Sequence, residues 1–291
     1  MKIIFIASYP RSGSTILDVI IRKTKNSNFI SIGEFFYIFE KGFNNNEKCA
    51  DGVKFLEHPF WQKIFHGLNH NKASRELRFL KNPFFFPFFL LMGYLNKNIL
   101  FKIFPNFFNV FYEILLRVCR ESGNKIIIDA SKDPRQLFIL SLFSQINIEI
   151  IHLVRDVRAT SFSWKRKKVY KENTYFKRKS VLRSSLRWLN DHLWTLFISK
   201  INYKTSYNRF FYEQFESLET LKFFGKTYLI DLNHKKTSFN VEIGGNVNKF
   251  VNFKSITIDN DWKKNMKFID YILVTSLTWP MLIFFKYKIT R

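Results

Sequence analysis

Cysteine, acidic residues and long apolar runs are all scarce in this sequence of 291 residues. Its two cysteines, Cys49 and Cys119, provide no disulfide framework and suit a reducing compartment. No uninterrupted apolar stretch reaches the roughly 20 residues that a membrane-spanning helix needs. The sequence therefore favours a cytoplasmic globular protein, and peripheral contact with the inner membrane stays open as an alternative.

Acidic residues number 23 against 47 lysines and arginines, which leaves a formal net charge of +24. Such a surplus favours anionic partners, namely nucleotides, sulfated or acidic glycans, nucleic acid or anionic lipid. The sequence has no RNP box, Cys/His finger or basic zipper, so we expect no nucleic-acid partner. Internal repeats and low-complexity linkers are also missing, and we predict one domain over residues 1–291.

The most informative stretch is Ser8-Tyr9-Pro10-Arg11-Ser12-Gly13-Ser14-Thr15, which directly follows the apolar run 3–7. A β-branched run, a turn with Pro and Gly, and apolar residues at helical spacing predict a strand, a tight loop and a helix. The unpaired amides and the positive dipole end at such a helix start favour an anion. We predict a phosphate-binding loop over residues 8–15. A strand-to-helix turn without phosphate is the alternative.

The loop differs from the nucleotide-hydrolase pattern G-x-x-x-x-G-K-[ST] at two positions. Ser8 stands in place of the first glycine, and Ser14 stands in place of the lysine. The strong cation is Arg11 inside the loop, whose planar guanidinium can contact two anionic oxygens. The pattern therefore predicts a phosphate site that is not built for ordinary ATP hydrolysis.

Glu34 follows a second short strand predicted over residues 28–32 and precedes a helix predicted over residues 35–41. Sites in open α/β sheets lie at the carboxyl ends of the strands, so Glu34 is expected on the same edge as the loop. That position makes Glu34 a candidate general base. The alternative is a carboxylate that merely stabilises the start of the next helix.

A third strand, predicted over residues 125–129, ends in Asp129 and is followed by Lys132. Lys132 is a point charge suited to a leaving phosphate group. An apolar strand that ends in Asp is also typical of the magnesium-binding Asp of P-loop hydrolases. This feature keeps a P-loop kinase or hydrolase as the alternative function.

Arg155 leaves a further strand, predicted over residues 148–154, and Ser163 follows about two helical turns later. These two side chains are candidates for holding a second phosphate. Lys249 lies in a glycine-containing loop over residues 244–250, which is interpreted as an anion lid or an ordinary turn.

Two other groups of polar residues are predicted to be structural. Cys49, Asp51 and His58 are all residue types that bind zinc, but their spacing lacks the pairing of a metal site. Asp156 and Arg158 are expected to pair with each other or to cap the helix that follows. No metal ion is predicted from either group.

Apolar helical segments precede and follow these motifs. Residues 54–123 predict a helical cap, whose Phe-rich stretch over residues 83–92 has an apolar core of about a dozen residues, too short to span a bilayer. Residues 262–291 predict a packed C-terminal helical segment, since Asp270 and Pro280 argue against a spanning helix. A membrane-lying or acceptor-binding surface is the alternative for the cap. A long basic helix is also predicted over 175–200.

Taken together, these motifs resemble those of bacterial sulfotransferases that use 3′-phosphoadenosine-5′-phosphosulfate (PAPS), and more loosely those of tyrosylprotein sulfotransferases. The matching segments, in chain order, are Tyr9 to Asp18, Ile32-Gly33-Glu34, Cys49 to Trp61, Ser122 to Pro134, Val154 to Ala159, Phe211-Tyr212-Glu213 and Gly245 to Lys249. The resemblance covers most of the chain. It implies a three-layer, P-loop-like α/β fold with a mainly parallel central sheet and a helical cap inserted after the second strand.

The resemblance also implies roles for individual residues. It makes Glu34 the general base, and Arg11 and Lys132 the cations at the leaving group. It assigns donor binding to Arg11, Ser12, Gly13, Ser14, Thr15, Arg155, Ser163 and Lys249. Such relatives often have further cysteines near Asp51 and His58, and arginine at the position of Lys249.

The expected function is transfer of a sulfuryl group from PAPS to a hydroxyl of a glycan, lipid or small metabolite, without a metal ion. The expected partners are the nucleotide donor and the hydroxyl acceptor, with peripheral membrane or acidic-glycan contact as a further expectation. Two alternatives remain, a P-loop nucleotide kinase or hydrolase and a non-enzymatic polyanion- or membrane-binding protein.

Overall fold

Five parallel strands form the centre of the protein. The computed structural model describes residues 1–22, 29–166, 169–171, 174–175, 178–201, 205–216, 241–244 and 258–290. The central strands are β1 (Lys2–Ser8), β2 (Phe29–Gly33), β3 (Ile126–Lys132), β4 (Asn147–Val154) and β7 (Thr205–Phe211). They lie in the order β2-β3-β1-β4-β7, and every neighbouring pair is parallel. The predicted parallel α/β sheet is confirmed.

Both faces of β1 are buried, as its continuous apolar sequence predicts for a central parallel strand. Successive side chains of a strand point to opposite faces of the sheet. Accordingly, Ile3 and Phe5 belong to one apolar cluster, and Ile4 and Ile6 belong to another. Helices cover the sheet on both faces, which gives the predicted three layers.

The first apolar cluster takes in the helices that lie between β2 and β3. These are α2 (Pro59–Phe65), α3 (His70–Leu80), α4 (Phe86–Ile103) and α5 (Pro105–Ser122). They form the helical cap predicted after the second strand. The second cluster contains α1 (Ser14–Arg22), through Leu17, Ile20 and Ile21.

The remaining helices frame the second half of the sheet. They are α6 (Pro134–Ser141), α7 (Val157–Lys165), α8 (Val181–Ile201), α9 (Asp261–Asn265) and α10 (Phe268–Phe284). A two-stranded antiparallel ribbon joins β5 (Val169–Lys171) to β6 (Thr174–Tyr175). The helix predicted over 175–200 therefore begins later, because residues 174–175 belong to this ribbon.

The helix predicted over residues 35–41 is also different from the regular α-helix expected. A 3-10 turn, Phe35–Tyr37, is followed by a π-helix, Phe39–Asn44. The amide of Phe36 donates a 2.9 Å hydrogen bond to Ser131 Oγ of β3, so this turn is tied to the sheet. Its local geometry thus follows the tertiary contact rather than helix propensity.

No helix in the described part of the chain is by itself long and apolar enough to cross a bilayer. Only α4 and α5 taken as a pair reach that length and apolarity, and the chain bends by 97° between them.

Candidate active site

The loop after β1 has the geometry of an anion-binding turn. Arg11 and Gly13 have positive φ angles of 79° and 89°. A Cβ atom on Gly13 would lie 2.7 Å from the Tyr212 ring, so this position requires glycine for both conformation and space. The helix α1 starts directly at Ser14, and the first amides of a helix have no carbonyl partner within it. The loop therefore gathers backbone donors and one guanidinium at the carboxyl end of β1.

Buried polar atoms without a partner surround this loop. Within the described ranges, Ser8 Oγ, Ser12 Oγ and Arg155 Nε are inaccessible to water and make no hydrogen bond. A buried polar atom that lacks a partner is costly, and such atoms call for a ligand or water. Two hydroxyls and a guanidinium are suitable donors for phosphate oxygens, so these residues fit a bound phosphate.

Arg155 is buried and ties the loop to the C-terminal part of the chain. Its Nη1 donates to Arg11 O at 2.8 Å, its Nη2 donates to Asp259 O at 2.9 Å, and its guanidinium lies 4.0 Å from the centre of the Tyr212 ring. Arg166 Nη2 lies 2.7 Å from Asp259 Oδ2. Burial, Arg155 and Arg166 together lower the pKa of Arg11 to about 10. Three arginines thus converge, with one carboxylate between two of them.

Two further cations near the loop were not identified from the sequence. Arg166 is one, and Lys179 is the other: its Nζ lies 3.5 Å from the centre of the Trp164 ring, which Arg11 also contacts at 5.2 Å. Burial and the nearby Arg187 and Arg183 lower the pKa of Lys179 to about 8. The only sequence signal was the basic composition of residues 165–168, which is no motif.

Only part of the predicted binding site for the second phosphate lies within the described residues. Ser163 is buried on α7, about two turns after Arg155, as predicted. Lys249 lies outside the described residues, and so does most of the predicted loop over 244–250.

Glu34 and Lys132 meet at the same edge of the sheet. Because β2 and β3 are neighbours, the residue after β2 and the last residue of β3 come into contact, and Lys132 Nζ forms an ion pair with Glu34 Oε1. A second lysine, Lys41, pairs with Glu34 Oε2. Lys132 also has a positive φ of 69°, a sparsely populated conformation for non-glycine residues that is enriched at functional sites.

Lys41 was missed by the sequence reasoning, although its spacing from Glu34 is about two helical turns. Burial by itself would raise the pKa of Glu34, but Lys132 and Lys41 lower it to about 2. Glu34 is therefore fully ionised at neutral pH and acts as a weak base while both lysines contact it.

A short segment, residues 241–244, lies beside the end of β2 and next to the Glu34–Lys132 ion pair. The amide of Glu34 donates to Ile243 O at 2.8 Å, and Gly33 forms a parallel bridge with Ile243. A Cβ atom on Gly33 would lie 2.4 Å from Ile243 O, so only glycine allows this approach. The segment is itself held by Trp61, whose Nε1 donates to Val241 O at 2.9 Å.

The Asp129 side chain does not face the site where Glu34 and Lys132 meet. Its carboxylate is buried and accepts hydrogen bonds from Ser131 N at 2.9 Å and Gln136 Nε2 at 2.8 Å. Burial raises the pKa of Asp129 to about 6. This side chain organises the end of β3, and the sequence feature that favoured a magnesium-dependent hydrolase is a structural carboxylate.

Four of the polar residues predicted to be structural make helix-capping or ion-pair contacts. His58 caps α2, because its Nδ1 accepts from Phe60 N at 3.1 Å while its Nε2 lies 3.0 Å from Asp51 Oδ2. Asp156 caps α7 by accepting from Arg158 N at 2.8 Å and pairs with the guanidinium of Arg158 at 2.7 Å. Within the ranges that the structure describes, no three His, Cys, Asp or Glu side chains group as metal ligands.

A parallel sheet in this order, covered by helices on both faces, defines a three-layer α/β protein. Two solved structures share the fold along nearly the whole chain. The sulfotransferase domain of the Synechococcus PCC 7002 olefin synthase is 18% identical, with a TM-score of 0.53, over 97% of this chain and 94% of that domain. The sulfotransferase domain from the curacin biosynthetic pathway is 17% identical, with a TM-score of 0.52, over 99% of both chains.

The chain therefore has the fold of the sulfotransferase domains, which confirms the sequence resemblance at the level of the fold. No protein-family model matches the sequence, and no curated protein matches it either.

Proposed function

We propose that this protein is a sulfotransferase that moves the sulfuryl group of PAPS to an acceptor hydroxyl. The observation that carries the proposal is the pairing of Glu34 with Lys132 at the sheet edge that also bears the loop over residues 8–15. A carboxylate for the acceptor proton and cations for the leaving phosphate are the groups that this reaction needs. The fold of the two sulfotransferase domains supports the same assignment.

The residues proposed to hold the donor come from two parts of the chain. Arg11, Ser12, Gly13, Ser14 and Thr15 would bind the 5′-phosphosulfate end. Arg155, Ser163 and Lys249 would bind the 3′-phosphate. The unpartnered Ser12 Oγ and Arg155 Nε among the described residues support both halves of this assignment.

The donor supplies an activated sulfuryl group attached to a phosphate oxygen. The acceptor oxygen forms a bond to sulfur as the bond between sulfur and that phosphate oxygen breaks, and the hydroxyl proton passes to Glu34. The products are a sulfate ester and adenosine 3′,5′-bisphosphate. Arg11, Lys132 and the loop amides stabilise the charge that develops on the leaving phosphate, each by on the order of 3 kcal/mol.

The ion pair of Lys132 with Glu34 links donor binding to the base. A leaving phosphate competes with Glu34 for Lys132, and a weaker ion pair raises the pKa of Glu34 from about 2. A higher pKa makes Glu34 a stronger base in the complex than in the free protein. Because the cations belong to the protein, we propose that the reaction needs no metal ion.

The proposed acceptor is a hydroxyl of a glycan, a lipid or a small metabolite. The cations that adjoin the loop, Lys179, Arg183 and Arg187, favour an acceptor that carries negative charge of its own. A cytoplasmic location and a nucleotide donor as partner belong to the same proposal.

The first test is calorimetric titration with adenosine 3′,5′-bisphosphate, with ATP and magnesium as the comparison. We expect tight binding of the bisphosphate and a marked loss of affinity in Arg155→Ala. A preference for magnesium-ATP would instead favour a kinase or hydrolase. Absence of binding to either, together with salt-sensitive binding to polyanions, would favour a non-enzymatic protein.

The Glu34→Gln variant tests the base. We expect its kcat with PAPS and a hydroxyl acceptor to fall about a hundred- to ten-thousandfold, because general-base catalysis contributes that much. Its affinity for the bisphosphate should stay close to that of the wild type, as measured by the same titration. Equal turnover in the variant and the wild type would exclude Glu34 as the base.

A further inference from the structure

Exposed apolar side chains lie on the cap helices and also on α8 and α10. On α8, Leu193 and Phe197 are exposed by 51% and 47%, and on α10, Trp279 and Ile283 are exposed by 51% and 52%. We call these four residues the apolar face. A contiguous exposed apolar surface usually marks a place of interaction.

The two helices that carry the apolar face pack against each other. The ring of Phe285, directly after α10, lies 5.8 Å from the ring of Trp188 on α8. Leu186 is also exposed on α8, and it shares one side of the helix with Leu193 and Phe197, at spacings of seven and eleven residues. The side chains of Leu189 and Leu196, next to that side, pack into the cluster that contains α10. The exposed strip of α8 therefore runs beside α10.

One side of α10 is buried in the core, and its other side is apolar as well. The exposed positions of α10 include Ile269, Ile272, Trp279 and Ile283, and none of its exposed residues is charged. A helix that is apolar all round is normally enclosed by protein or by lipid. Ser276 is the one polar residue among the exposed positions of α10, so its outer side has few of the solvent-facing polar residues of an ordinary surface helix.

Exposed lysines lie at both ends of α10, whereas the nearby carboxylates are paired with cations. Lysines 263, 264 and 267 precede α10, and lysines 286 and 288 follow it, all with exposed side chains. Asp191 and Asp270, the carboxylates of α8 and α10, are paired with Arg187 and Lys165 respectively. Among the described residues, the surface charge left unpaired beside the apolar face is therefore positive, which is complementary to an anionic surface.

The guanidinium of Arg209 lies at the edge of the apolar face, near the end of α10. It lies 5.2 Å from the centre of the Phe284 ring at the end of α10. Arginine over an aromatic ring keeps its charge near water while its stem covers apolar surface. Aromatic and aliphatic side chains flanked by lysine and arginine are typical of helices that lie in a membrane interface.

We propose that the apolar face docks this protein on the surface of an anionic lipid bilayer, with α8 and α10 lying along the interface. The face itself supplies apolar burial, and the lysines at both ends of α10 contact acidic headgroups. The protein lies on the bilayer rather than across it, since neither helix is long and apolar enough to span.

The test is co-sedimentation of the full chain with vesicles, without nucleotide. One set of vesicles is phosphatidylcholine alone, and the other contains phosphatidylglycerol as well. We expect binding to the anionic vesicles to be stronger by about fivefold for each basic side chain that reaches the headgroups. The variant Leu193→Ser/Phe197→Ser/Trp279→Ser/Ile283→Ser should bind the anionic vesicles at least about tenfold more weakly.

The matched control is Leu56→Ser/Phe79→Ser, which removes exposed apolar side chains outside α8 and α10. It should bind vesicles like the wild type. Thermal unfolding and bisphosphate titration check that both variants are folded. Because the four substituted positions of the apolar face are exposed, the fourfold variant should lose vesicle binding without losing the fold.

A second measurement locates the contact on Trp279. Lipids brominated on the acyl chain should quench part of the tryptophan fluorescence of the bound wild type, and that part should be missing in Trp279→Phe. Equal vesicle binding by the fourfold variant and the wild type would overturn the proposal. Failure of the wild type to bind anionic vesicles would overturn it too. One such case is an apolar face that joins two copies of the chain, which light scattering would show as a dimer that the fourfold variant abolishes.

Discussion

Glu34 is held by two lysines that come from different places, and the two have different expected tasks. Lys132 ends β3 and is a candidate for contact with the leaving phosphate, whereas Lys41 lies in the π-helix of residues 39–44. Lys41 therefore lowers the pKa of Glu34, and this role does not require Lys41 to contact the reacting atoms. In this proposal it is a positioning residue.

Removal of the charge at Lys41 should change the pH dependence of the reaction. In the proposed mechanism Glu34 acts in its ionised form, and because its pKa is lowered, its ionisation is lost only as the pH falls towards about 2. The variant Lys41→Gln removes one of the two lowering charges and should shift the acid limb of the kcat profile to higher pH. The measurement is kcat as a function of pH, starting from the lowest pH at which circular dichroism shows the protein to be folded, in buffers of constant ionic strength.

Lys41→Arg is the matched control, because it keeps the positive charge beside Glu34. Its acid limb should stay close to that of the wild type. Superimposable profiles for Lys41→Gln and Lys41→Arg would contradict the assigned role.

At the scale of elements, the start of α7 anchors the C-terminal part of the chain to the sheet. Arg158 is buried and pairs with Asp156, and its guanidinium also donates to Lys288 O at 2.7 Å and to Tyr271 Oη at 3.1 Å. The Asp156 carboxylate raises the pKa of Arg158 in opposition to burial, which lowers it. One side chain thus joins α7, α10 and the residues after α10.

Truncation of Arg158 should destabilise the protein. Arg158→Ala leaves the buried Asp156 carboxylate without its partner, and we expect the free energy of unfolding to fall by about 3–5 kcal/mol. Urea titration followed by circular dichroism measures this quantity. The control is Lys54→Ala, which breaks the exposed pair with Glu57 at 3.7 Å and should change the free energy by less than about 1 kcal/mol. Similar effects of the two substitutions would contradict a central role for the buried pair.

At the scale of the whole molecule, cations from distant parts of the chain concentrate beside the loop after β1. Arg11 belongs to that loop, Arg155 and Arg166 flank α7, and Lys179 precedes α8. Their mutual repulsion contributes to the lowered pKa values of Arg11 and Lys179. A bound anion relieves this repulsion, so anion binding and proton binding are coupled.

Binding of the bisphosphate near pH 8 should therefore take up protons. The pKa of Lys179 is about 8 in the free protein, and a nearby phosphate should raise it, so the complex holds more protons than the free protein at that pH. Affinity should accordingly fall as the pH rises above about 8. Calorimetry in two buffers with different heats of ionisation measures the proton uptake directly.

Lys179→Arg keeps the charge but does not titrate near this pH. Its proton uptake at pH 8 should be clearly smaller than that of the wild type. An unchanged uptake would show that another group is responsible.

Much of the fold and of the candidate site could be predicted because it depends on local sequence patterns. The apolar run before Tyr9, the Pro and Gly of the loop and the residues after β2, β3 and β4 follow from strand and turn chemistry alone. The pairing of Asp156 with Arg158 depends on two residues in one helical turn, and it too was predicted. Lys41 could not be assigned in this way, because its contact with Glu34 depends on a π-helix that follows the turn tied to β3.

The sequence by itself determined most of the succession of strands and helices along the chain, and it predicted the anion-binding character of the loop and the candidate roles of Glu34 and Lys132. Those features depend on neighbours in the chain, whose geometry is fixed by backbone stereochemistry. Only the tertiary structure decided that Asp129 is enclosed and that Arg166 and Lys179 join Arg11. It alone also decided that none of the described residues covers the outer side of α10. Burial and long-range contact depend on how the elements pack, and a helix that is apolar on both sides has the same sequence whether or not protein covers it.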